Sequence, residues 1–376
     1  MSSKKILFVT GTRADFGKLK SILNQVKSYK ENFELTLFVT GMHLDYEYGY
    51  TIKEIENSGF KEFIYPFMNF SRNDSMDLTL ANTIIGLSNF IQKRQIDLIV
   101  IHGDRPEALS GAIVGSFNNI RVAHIEGGEV SGTIDEMIRH SVSKLSHHHF
   151  VSNSEAKKRL IKMGENPRNI FVIGNPDLDI IINNKLPDLL NVKKHYDISF
   201  DRYGIVLFHP VTTDKEFSSN AVKFVNAVAS LNENVVCIYP NNDKGSEVIK
   251  TLYKKLLNNK KNIKVFPSLR FEYFLSLLKN AQFILGNSSA GIHEAPYLSI
   301  PSVNVGTRQD GRAKQESIIN VSYNTQEIAE AVSSCQSKNF NYKKEFGEGN
   351  SGEKFIQTIT QDKFWEVDSQ KKLHGY

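Results

Sequence analysis

Short runs of β-branched and aliphatic residues recur along the chain, and each ends in or near a polar residue or a glycine. Amphipathic helical patterns follow many of these runs, for example at residues 15–29 and 106–117. Nearly continuous apolarity is typical of parallel strands that are buried on both faces. Regular strand–helix alternation therefore predicts an α/β fold with doubly wound parallel sheets. The runs comprise residues 6–10, 35–40, 97–101, 122–125, 149–152, 171–173, 205–208, 235–239, 263–266, 283–285 and 302–305.

These runs are too many for one comfortable sheet, and 376 residues correspond to a little over two typical domains of about 150 residues. We therefore predict two Rossmann-like domains that face a central cleft. Gly174-Asn175-Pro176 closes a strand ahead of an Asn-rich stretch, which favours a boundary there. We expect an N-terminal domain over residues 1–180, a C-terminal domain over residues 186–355, and a final helix within residues 356–376. The sequence does not decide which domain this helix packs on, and packing back on the N-terminal domain is one of the two options.

The composition excludes several classes of protein. Hydrophobic residues make up 40% and charged residues 23% of the chain, which is ordinary for a globular protein and excludes disordered, collagen-like and coiled-coil chains. The net charge of +5 is scattered, which suits anionic small molecules better than nucleic acid. Two distant cysteines, Cys237 and Cys335, argue against a disulfide framework. No apolar run approaches the roughly 20 residues of a membrane span. We expect a soluble cytoplasmic protein with no nucleic-acid or membrane partner.

Three apparent motifs are rejected. The segment Gly11 to Leu19 resembles a phosphate loop, but its Lys comes one residue too late and Leu19 replaces the Ser or Thr that would hold magnesium. No Gly-x-Gly-x-x-Gly follows the first strand, so we expect no nicotinamide cofactor and no cofactor of another kind. His147-His148-His149 points alternately to opposite faces of a strand, so we interpret this run as structural and expect no metal.

The first strand–helix turn, Gly11 to Gly17, is a candidate anion site. Backbone N–H groups at a helix start favour an anion, and Arg13 adds a cation there. The alternative is a solvated arginine in a turn that Asp15 caps, and the sequence alone does not decide between the two.

Three acids follow the next strands of the first half. Asp104 comes directly after one strand, and Glu126 follows another strand just before Gly127-Gly128, which leaves room for a ligand to approach. Asp135 opens a helix and shares a face with Arg139. Taken singly, Asp104 is explained as a helix N-cap and the Asp135 pair as an exposed ion pair. Together, three acids at adjacent strand ends are typical of proton-transfer chemistry, because close carboxylates shift one another's pKa.

The second half offers groups suited to a diphosphate. His209 ends a strand, where it is either a core-edge histidine or a phosphate ligand. Ser288 and Ser289 lie in a Gly- and Ser-rich turn that leads into a helix, with a simple Ser-capped helix as the alternative. Glu294, about one turn into that helix, is suited to accept hydrogen bonds from ribose hydroxyls. Arg308 adds a cation after the next strand.

Taken together, these motifs resemble the hydrolysing UDP-N-acetylglucosamine 2-epimerases of bacterial sialic acid synthesis. Those enzymes are relatives of the non-hydrolysing epimerases, within the two-Rossmann architecture shared with GT-B glycosyltransferases. The likeness runs from Gly11-Thr12-Arg13-Ala14-Asp15-Phe16-Gly17 to Gly306-Thr307-Arg308-Gln309. The non-hydrolysing branch typically has Gly-Thr-Arg-Pro-Glu and His-Val-Glu-Ala-Gly where this chain has Gly-Thr-Arg-Ala-Asp and His-Ile-Glu-Gly-Gly, which favours the hydrolytic branch.

The resemblance implies roles for individual residues. By it, Asp104, Glu126 and Asp135 are the catalytic carboxylates, although which is base and which is acid is not assigned. The nucleotide-diphosphate site is implied at Arg13, His209, Ser288, Ser289 and Glu294, and Phe274 matches a position near the uracil.

The resemblance also implies an activity and an assembly. We expect UDP-N-acetylglucosamine and water to give N-acetylmannosamine and UDP through 2-acetamidoglucal, catalysed by a homodimer or homotetramer. Four alternatives stay open: a UDP- or GDP-linked diacetamido-trideoxy sugar as substrate, as in legionaminic acid synthesis, a GT-B glycosyltransferase, a nucleotide-sugar sensor, and an epimerase that keeps UDP attached and forms UDP-N-acetylmannosamine. The legionaminic enzymes often carry His in place of Glu126, and Glu126 together with residues 130–134 looks more like the sialic acid branch.

Overall fold

The computed structural model describes residues 3–69, 75–312, 315–372 and 374. The chain divides into two units. The first unit contains Met1–Glu129, Asp135–Asn183 and Glu345–Tyr376, and the second contains Val130–Ile134 and Asn184–Lys344. Among the helices of the described ranges, none combines the length and the apolar character that crossing a bilayer requires.

The first unit is built on a parallel sheet of seven strands in the order β3-β2-β1-β4-β5-β6-β7. The strands are β1 (Lys4–Thr10), β2 (Phe33–Val39), β3 (Ile64–Pro66), β4 (Leu98–His102), β5 (Arg121–Ile125), β6 (His148–Val151) and β7 (Ile170–Val172). The helices are α1 (Arg13–Ser28), α2 (Ile52–Ile55), α3 (Met76–Ile91), α4 (Pro106–Phe117), α5 (Ile134–Leu145), α6 (Ser154–Lys162) and α7 (Leu178–Ile182).

Strand β1 shows why this sheet is buried on both faces. Successive side chains of a strand point to opposite sides, and every residue from Ile6 to Val9 is apolar. Ile6 and Phe8 belong to one hydrophobic cluster, while Leu7 and Val9 belong to another. The sheet therefore separates two cores, and the polar residues of β1 are confined to its ends.

The second unit repeats the same plan with six parallel strands in the order β10-β9-β8-β11-β12-β13. The strands are β8 (Gly204–Leu207), β9 (Val235–Ile238), β10 (Ile263–Phe266), β11 (Ile284–Gly286), β12 (Ser302–Val305) and β13 (Ile318–Val321). The helices are α8 (Leu189–His195), α9 (Phe217–Ser230), α10 (Ser246–Leu256), α11 (Phe271–Lys279), α12 (Glu294–Tyr297) and α13 (Thr325–Ser337). The predicted α/β class and the two doubly wound parallel sheets are confirmed.

The C-terminal segment belongs to the first unit from Glu345 onward, so that unit resumes before the expected domain end at residue 355. The single helix expected within residues 356–376 is instead two short helices, α14 (Ser351–Ile359) and α15 (Asp362–Trp365), and residues 373, 375 and 376 lie outside the described residues. Gln361 has an extended backbone, which separates the two helices. The segment starts early because Phe355 and Ile359 pack in the same hydrophobic cluster as Phe8.

Candidate active site

Each sheet has one point at which the strand order reverses, and the candidate residues follow the strands that flank it. In the first sheet the reversal lies between β1 and β4, and in the second it lies between β8 and β11. Ligands of open α/β sheets bind at the carboxyl ends of the strands at such a point. The fold therefore identifies the turn after β1, the loops after β4 and β5, and the corresponding loops of the second sheet.

The turn after β1 is capped from within. Asp15 accepts hydrogen bonds from the backbone N–H groups of Gly11 and Thr12, both at 3.0 Å, and the Thr12 hydroxyl accepts from the Asp15 N–H. The Asp15 carboxylate therefore already accepts from two of the backbone N–H groups that the sequence predicts as anion donors. Arg13 Nη2 lies 2.5 Å from Glu54 Oε1, so its guanidinium is half of an ion pair and not a solvated side chain.

Glu126 directly follows β5 and is only 6% exposed. Its φ of 66° lies in the left-handed region, which is unfavourable for a residue with a side chain. The carboxylate has two cationic or titratable neighbours, since His102 Nε2 lies 2.9 Å and Lys18 Nζ lies 3.5 Å from Oε2. Strained backbone of this kind clusters at functional sites, where surrounding contacts hold it in place.

Arg139 joins the other two acids to Glu126. It is 1% exposed, and its Nη2 donates to Asp104 Oδ2. Burial alone would lower the pKa of Arg139, but the carboxylates of Asp104, Glu126, Glu129 and Asp135 raise that pKa above its ordinary value. Asp104 therefore pairs directly with a buried guanidinium, and the carboxylates of Glu126, Glu129 and Asp135 lie near enough to act on its charge.

The simple alternatives for two of these acids do not describe the structure. Helix α4 has Arg105 at its N-cap and no side-chain cap, so Asp104 is not the capping residue. Asp135 is 7% exposed and Arg139 is 1% exposed, so the two do not form an exposed ion pair. Both acids are instead held close to a buried cation.

His124 fixes the segments that carry the acids. Its Nε2 lies 2.8 Å from the carbonyl oxygen of Gly103, which only accepts, so Nε2 carries the ring proton. Nδ1 then accepts from the Ser143 hydroxyl of α5 at 3.1 Å. Burial lowers the pKa of His124 well below its ordinary value, which keeps the ring neutral. One side chain of β5 thus ties the loop of Asp104 to the helix of Asp135.

The glycines after Glu126 have a packing role, and the expected room for a ligand is not there. A Cβ on Gly127 would lie 2.9 Å from His124 Nδ1. Gly128 has a φ of 77°, and a Cβ there would lie 2.4 Å from the carbonyl oxygen of Ala156. The backbone itself needs this space, because β5 turns sharply against α5 and α6.

The run of three histidines lies at the start of β6, away from the acids. His149 Nε2 lies 2.9 Å from Glu165 Oε2, and the His148 ring stacks on Phe364 with centroids 3.8 Å apart. A cavity of about 640 Å³ is lined here by residues that include His147, His148 and Phe364, and its lining contains none of the three acids. The cavity and the cluster of acids are therefore different places in the first unit.

In the second unit, His209 lies beyond the end of β8 with its ring orientation fixed. The Asn241 backbone N–H donates to His209 Nδ1 at 3.1 Å, so the neutral ring carries its proton on Nε2. The His209 backbone N–H donates to Asn287 Oδ1 at 2.7 Å, and Asn287 Nδ2 donates back to the His209 carbonyl oxygen at 2.9 Å. Both the backbone and the ring of His209 are held by neighbouring strand ends.

The turn after β11 differs from the single helix start expected there. Ser289–Gly291 forms a 3₁₀ turn, and α12 begins only at Glu294, which is therefore its first residue. The Ser288 hydroxyl accepts from the Ala290 N–H at 3.3 Å, as in the alternative of a Ser cap. Glu294 is 2% exposed, and its Oε2 has no hydrogen-bond partner among the residues that the structure describes.

The remaining two predicted residues lie on either side of this turn. Arg308 Nη1 donates to the Asn287 carbonyl oxygen at 3.2 Å, which places Arg308 at the ends of β11 and β12. Phe274 is 8% exposed on α11, a helix that packs against α12 and so lies beside the helix of Glu294.

Sequence reasoning missed Lys18, His102 and Asn287. In the sequence, Lys18 stands out only as the lysine of an apparent phosphate loop, although it lies three residues after Asp15 on the same helix. His102 ends β4 directly before Gly103-Asp104, and that strand-end position is a signal that the sequence does contain. Asn287 directly precedes Ser288 and Ser289, whose hydroxyls are the more obvious ligand groups of this turn.

Comparison with known proteins assigns the family. Residues 26–360 match the sequence profile of the family described as UDP-N-acetylglucosamine 2-epimerase. The chain is 44% identical to the UDP-N-acetylglucosamine 2-epimerase of Neisseria meningitidis serogroup B, over 98% of both chains. It is 34% identical to the UDP-N,N'-diacetylbacillosamine 2-epimerase (hydrolyzing) of Legionella pneumophila, over 95% of both.

Solved structures agree on the fold. The structure of the Methanocaldococcus jannaschii UDP-GlcNAc 2-epimerase in complex with UDP-GlcNAc and UDP superposes with a TM-score of 0.81 at 24% identity, covering 95% of this chain and 99% of that one. The profile match and the two relatives establish that this chain is an enzyme of the UDP-N-acetylglucosamine 2-epimerase family.

Proposed function

We propose that this chain is a hydrolysing 2-epimerase that converts UDP-N-acetylglucosamine and water to N-acetylmannosamine and UDP. The gathering of Asp104, Glu126 and Asp135 around the buried Arg139 is the observation that carries the proposal. Inversion at C2 needs one group to remove a proton and another to return one to the opposite face. Acids that lie close to one guanidinium can include both an ionised and a protonated carboxyl group, because each carboxylate changes the proton affinity of the others.

The first step is an elimination. The C2 proton beside an acetamido group is a weak acid, so the bond from C1 to the diphosphate oxygen breaks early and leaves cationic character at C1. A carboxylate then takes the C2 proton, the C2–H electron pair forms the C1–C2 double bond of 2-acetamidoglucal, and UDP leaves as an anion. We assign the proton transfers at C2 to Glu126 and Asp104.

The second step is a hydration. C2 of the glucal is protonated on the opposite face, and water adds to C1 with loss of one proton to a carboxylate, which releases N-acetylmannosamine. Asp135 assists this protonation or the attack of water. The protons balance over the two steps, and no redox change occurs. The first unit therefore needs only acids and bases that are held in place.

We assign the nucleotide to groups of the second unit, and we retain Arg13 as a predicted anion-binding residue of the first unit. His209 presents an N–H at Nε2, and Ser288, Ser289 and Arg308 add hydroxyl and guanidinium donors suited to a diphosphate. Glu294 has a buried oxygen without a hydrogen-bond partner among the described residues, which suits a ribose hydroxyl donor. We retain Phe274 as the residue near the uracil.

Two observations favour hydrolysis over an epimerisation that keeps UDP attached. The motif text Gly-Thr-Arg-Ala-Asp and His-Ile-Glu-Gly-Gly departs from the typical non-hydrolysing text at both turns. The Legionella pneumophila relative is named as a hydrolysing enzyme. That relative also supports a second candidate, UDP-N,N'-diacetylbacillosamine as the substrate, with the same reaction at C1 and C2.

A proton NMR time course in deuterated water tests the proposal. Incubation with UDP-N-acetylglucosamine alone should release free UDP and N-acetylmannosamine that carries deuterium at C2. UDP-N-acetylmannosamine as the product would instead identify a non-hydrolysing epimerase. A requirement for an acceptor would identify a glycosyltransferase, and return of the unchanged ligand would identify a sensor. A parallel incubation with UDP-N,N'-diacetylbacillosamine ranks the two substrates by kcat/KM.

A further inference from the structure

Asn287 is a fully buried side chain directly after β11 in the second unit, with 0% of its surface exposed. Its amide makes a reciprocal pair of hydrogen bonds with the backbone of His209, accepting at 2.7 Å and donating at 2.9 Å. A side chain that satisfies both the N–H and the C=O of one residue acts as a strand partner for that residue. His209 lies beyond the last residue of β8, where the backbone ladder has ended.

The backbone of Asn287 reaches two further strand ends. Its N–H donates to the carbonyl oxygen of Leu207 at 3.2 Å. Its carbonyl oxygen accepts from Arg308 Nη1 at 3.2 Å and from Gln309 Nε2 at 2.8 Å. One residue thus connects the loops after β8, β11 and β12, which carry His209, Ser288 and Arg308.

We infer that Asn287 is a positioning residue for nucleotide-diphosphate binding, which it supports by holding His209 so that the Nε2–H faces the ligand. This inference rests on the proposed function, because it takes the second unit as the nucleotide site. The Asn241 N–H fixes the ring through Nδ1, and Asn287 fixes the backbone from which the ring extends. With both fixed, His209 offers a preorganised donor, and little conformational entropy is lost on binding.

The chemistry requires an asparagine at this position. Its amide combines one donor and one acceptor at the reach of the His209 backbone. Aspartate has the same shape but no donor, so its carboxylate would face the His209 carbonyl oxygen without a hydrogen bond. Serine is too short to reach both groups at once. Substitution should therefore misplace His209 while leaving the apolar core of the second unit intact.

Titration of UDP into the intact protein by isothermal calorimetry tests this role. Asn287→Asp should weaken UDP binding about 10-fold to 100-fold, the effect of leaving a buried hydrogen-bonding group without its partner. Asn304→Asp is the matched control. Asn304 is also a buried asparagine of the second unit, but its Nδ2 donates to Asn320 Oδ1, so UDP affinity should stay within about twofold of wild type.

A double-mutant cycle separates positioning from general support. In a His209→Ala background, Asn287→Asp should change UDP affinity by less than about threefold, because its effect acts through His209. An equal loss in both backgrounds would overturn the inference, and so would wild-type affinity in Asn287→Asp. If wild-type protein fails to bind UDP at all, the proposed function fails instead.

A measurement on the unaltered protein covers the case in which Asn287→Asp does not fold. Nitrogen-15 NMR of the His209 ring should show the proton on Nε2, and UDP should shift the Nε2 resonance. A proton on Nδ1, or a ring signal insensitive to bound UDP, would overturn the inference. Asn287→Ser provides a second variant for the calorimetric series.

Discussion

The two units share one strand order around the reversal point but hold different chemical groups there. In the first unit the strand ends carry charge, with Arg139 among four carboxylates and Glu126 beside Lys18 and His102. In the second unit Asn287 and His209 are linked by hydrogen bonds between neutral groups. The fold supplies the position in both units, and the side chains decide the chemistry.

This difference corresponds to two tasks. Moving a proton requires groups whose charge changes, and a cluster of buried charges makes the proton affinity of each group depend on its neighbours. Holding a nucleotide requires hydrogen-bond donors with a fixed direction. Neutral amides provide such donors without the long-range electrostatic interactions of ionised groups. The comparison predicts that variants of the first unit change turnover, whereas variants of the second unit change affinity.

The largest expected effect is that of Glu126→Gln. The amide keeps the size of the side chain but cannot take a proton from C2, so kcat should fall by about 10²-fold to 10⁴-fold while UDP affinity stays near wild type. Steady-state kinetics and UDP calorimetry measure the two quantities. Glu136→Gln is the control, because Glu136 pairs with His140 on a more exposed face of α5, and its turnover should be unchanged. Turnover near the wild-type value in Glu126→Gln would contradict the assignment.

The next largest effect is acid destabilisation of the first unit. Burial lowers the pKa of His43 from 6.5 to about 4, although the Asp15 carboxylate opposes the change. The unfolded chain therefore binds a proton in this pH range that the folded unit does not, and stability falls as pH drops from about 6.5 to about 4. The loss is about 3 kcal/mol for this one group.

Trp365 reports on this loss, because it is the only tryptophan of the sequence and packs against the cluster that contains Phe8. Urea unfolding followed by its fluorescence should show a midpoint that falls from pH 7 to pH 4.5. His43→Gln should weaken that dependence. A midpoint independent of pH over this range would refute the prediction.

How well the sequence predicts this arrangement depends on how far apart in the sequence the contacting residues lie. The apolar runs predict the strands because burial on both faces leaves a local signature, and β10 and β12 agree with their runs at both ends. Strand β3 has only three residues at the sheet edge, with two of them exposed, so it leaves no such signature. Asp104 and Glu126 stand out for the same local reason, since they come within two residues of the ends of buried strands.

The contacts that complete the site are long-range and leave no local pattern. Arg139 bonds to Asp104 across 35 positions, and Asn287 bonds to His209 across 78. In the sequence, the residues at neighbouring helical or strand positions do not distinguish these partners from solvent-exposed residues. Gly127 is the converse case, because its local pattern suggests room for a ligand. In the structure, the turn brings the side chain of His124 close to Gly127, and this contact explains the glycine.

A smaller effect is expected for Glu294→Gln in the second unit. A carboxylate that accepts from ribose hydroxyls is worth more than a neutral amide, so UDP affinity should fall about tenfold with kcat at saturation unchanged. Calorimetry with UDP and with 2'-deoxy-UDP measures the cause. Wild-type protein should prefer UDP, and Glu294→Gln should lose most of that preference. A tenfold loss for both ligands alike would place Glu294 away from the 2'-hydroxyl.

The smallest effect is expected for His148→Phe, which replaces a buried titratable ring of the first unit with an apolar one. The His148 ring is fully buried and stacked on Phe364, and neither ring nitrogen has a partner among the described residues. Burial lowers its pKa to about 2. Phenylalanine keeps a ring in the stack and removes two unsatisfied polar atoms, so the variant should be more stable by about 1 kcal/mol at pH 7.

The pH dependence of this gain tests its cause. Below about pH 6.5 the unfolded wild-type chain gains a proton at His148 that the folded protein excludes, and the Phe variant avoids this cost. The stability advantage of His148→Phe should therefore be larger at pH 5 than at pH 7, measured by urea unfolding with Trp365 fluorescence. An advantage of equal size at both pH values would mean that packing alone explains it. A loss of stability at both would mean that the ring nitrogens contribute to the fold.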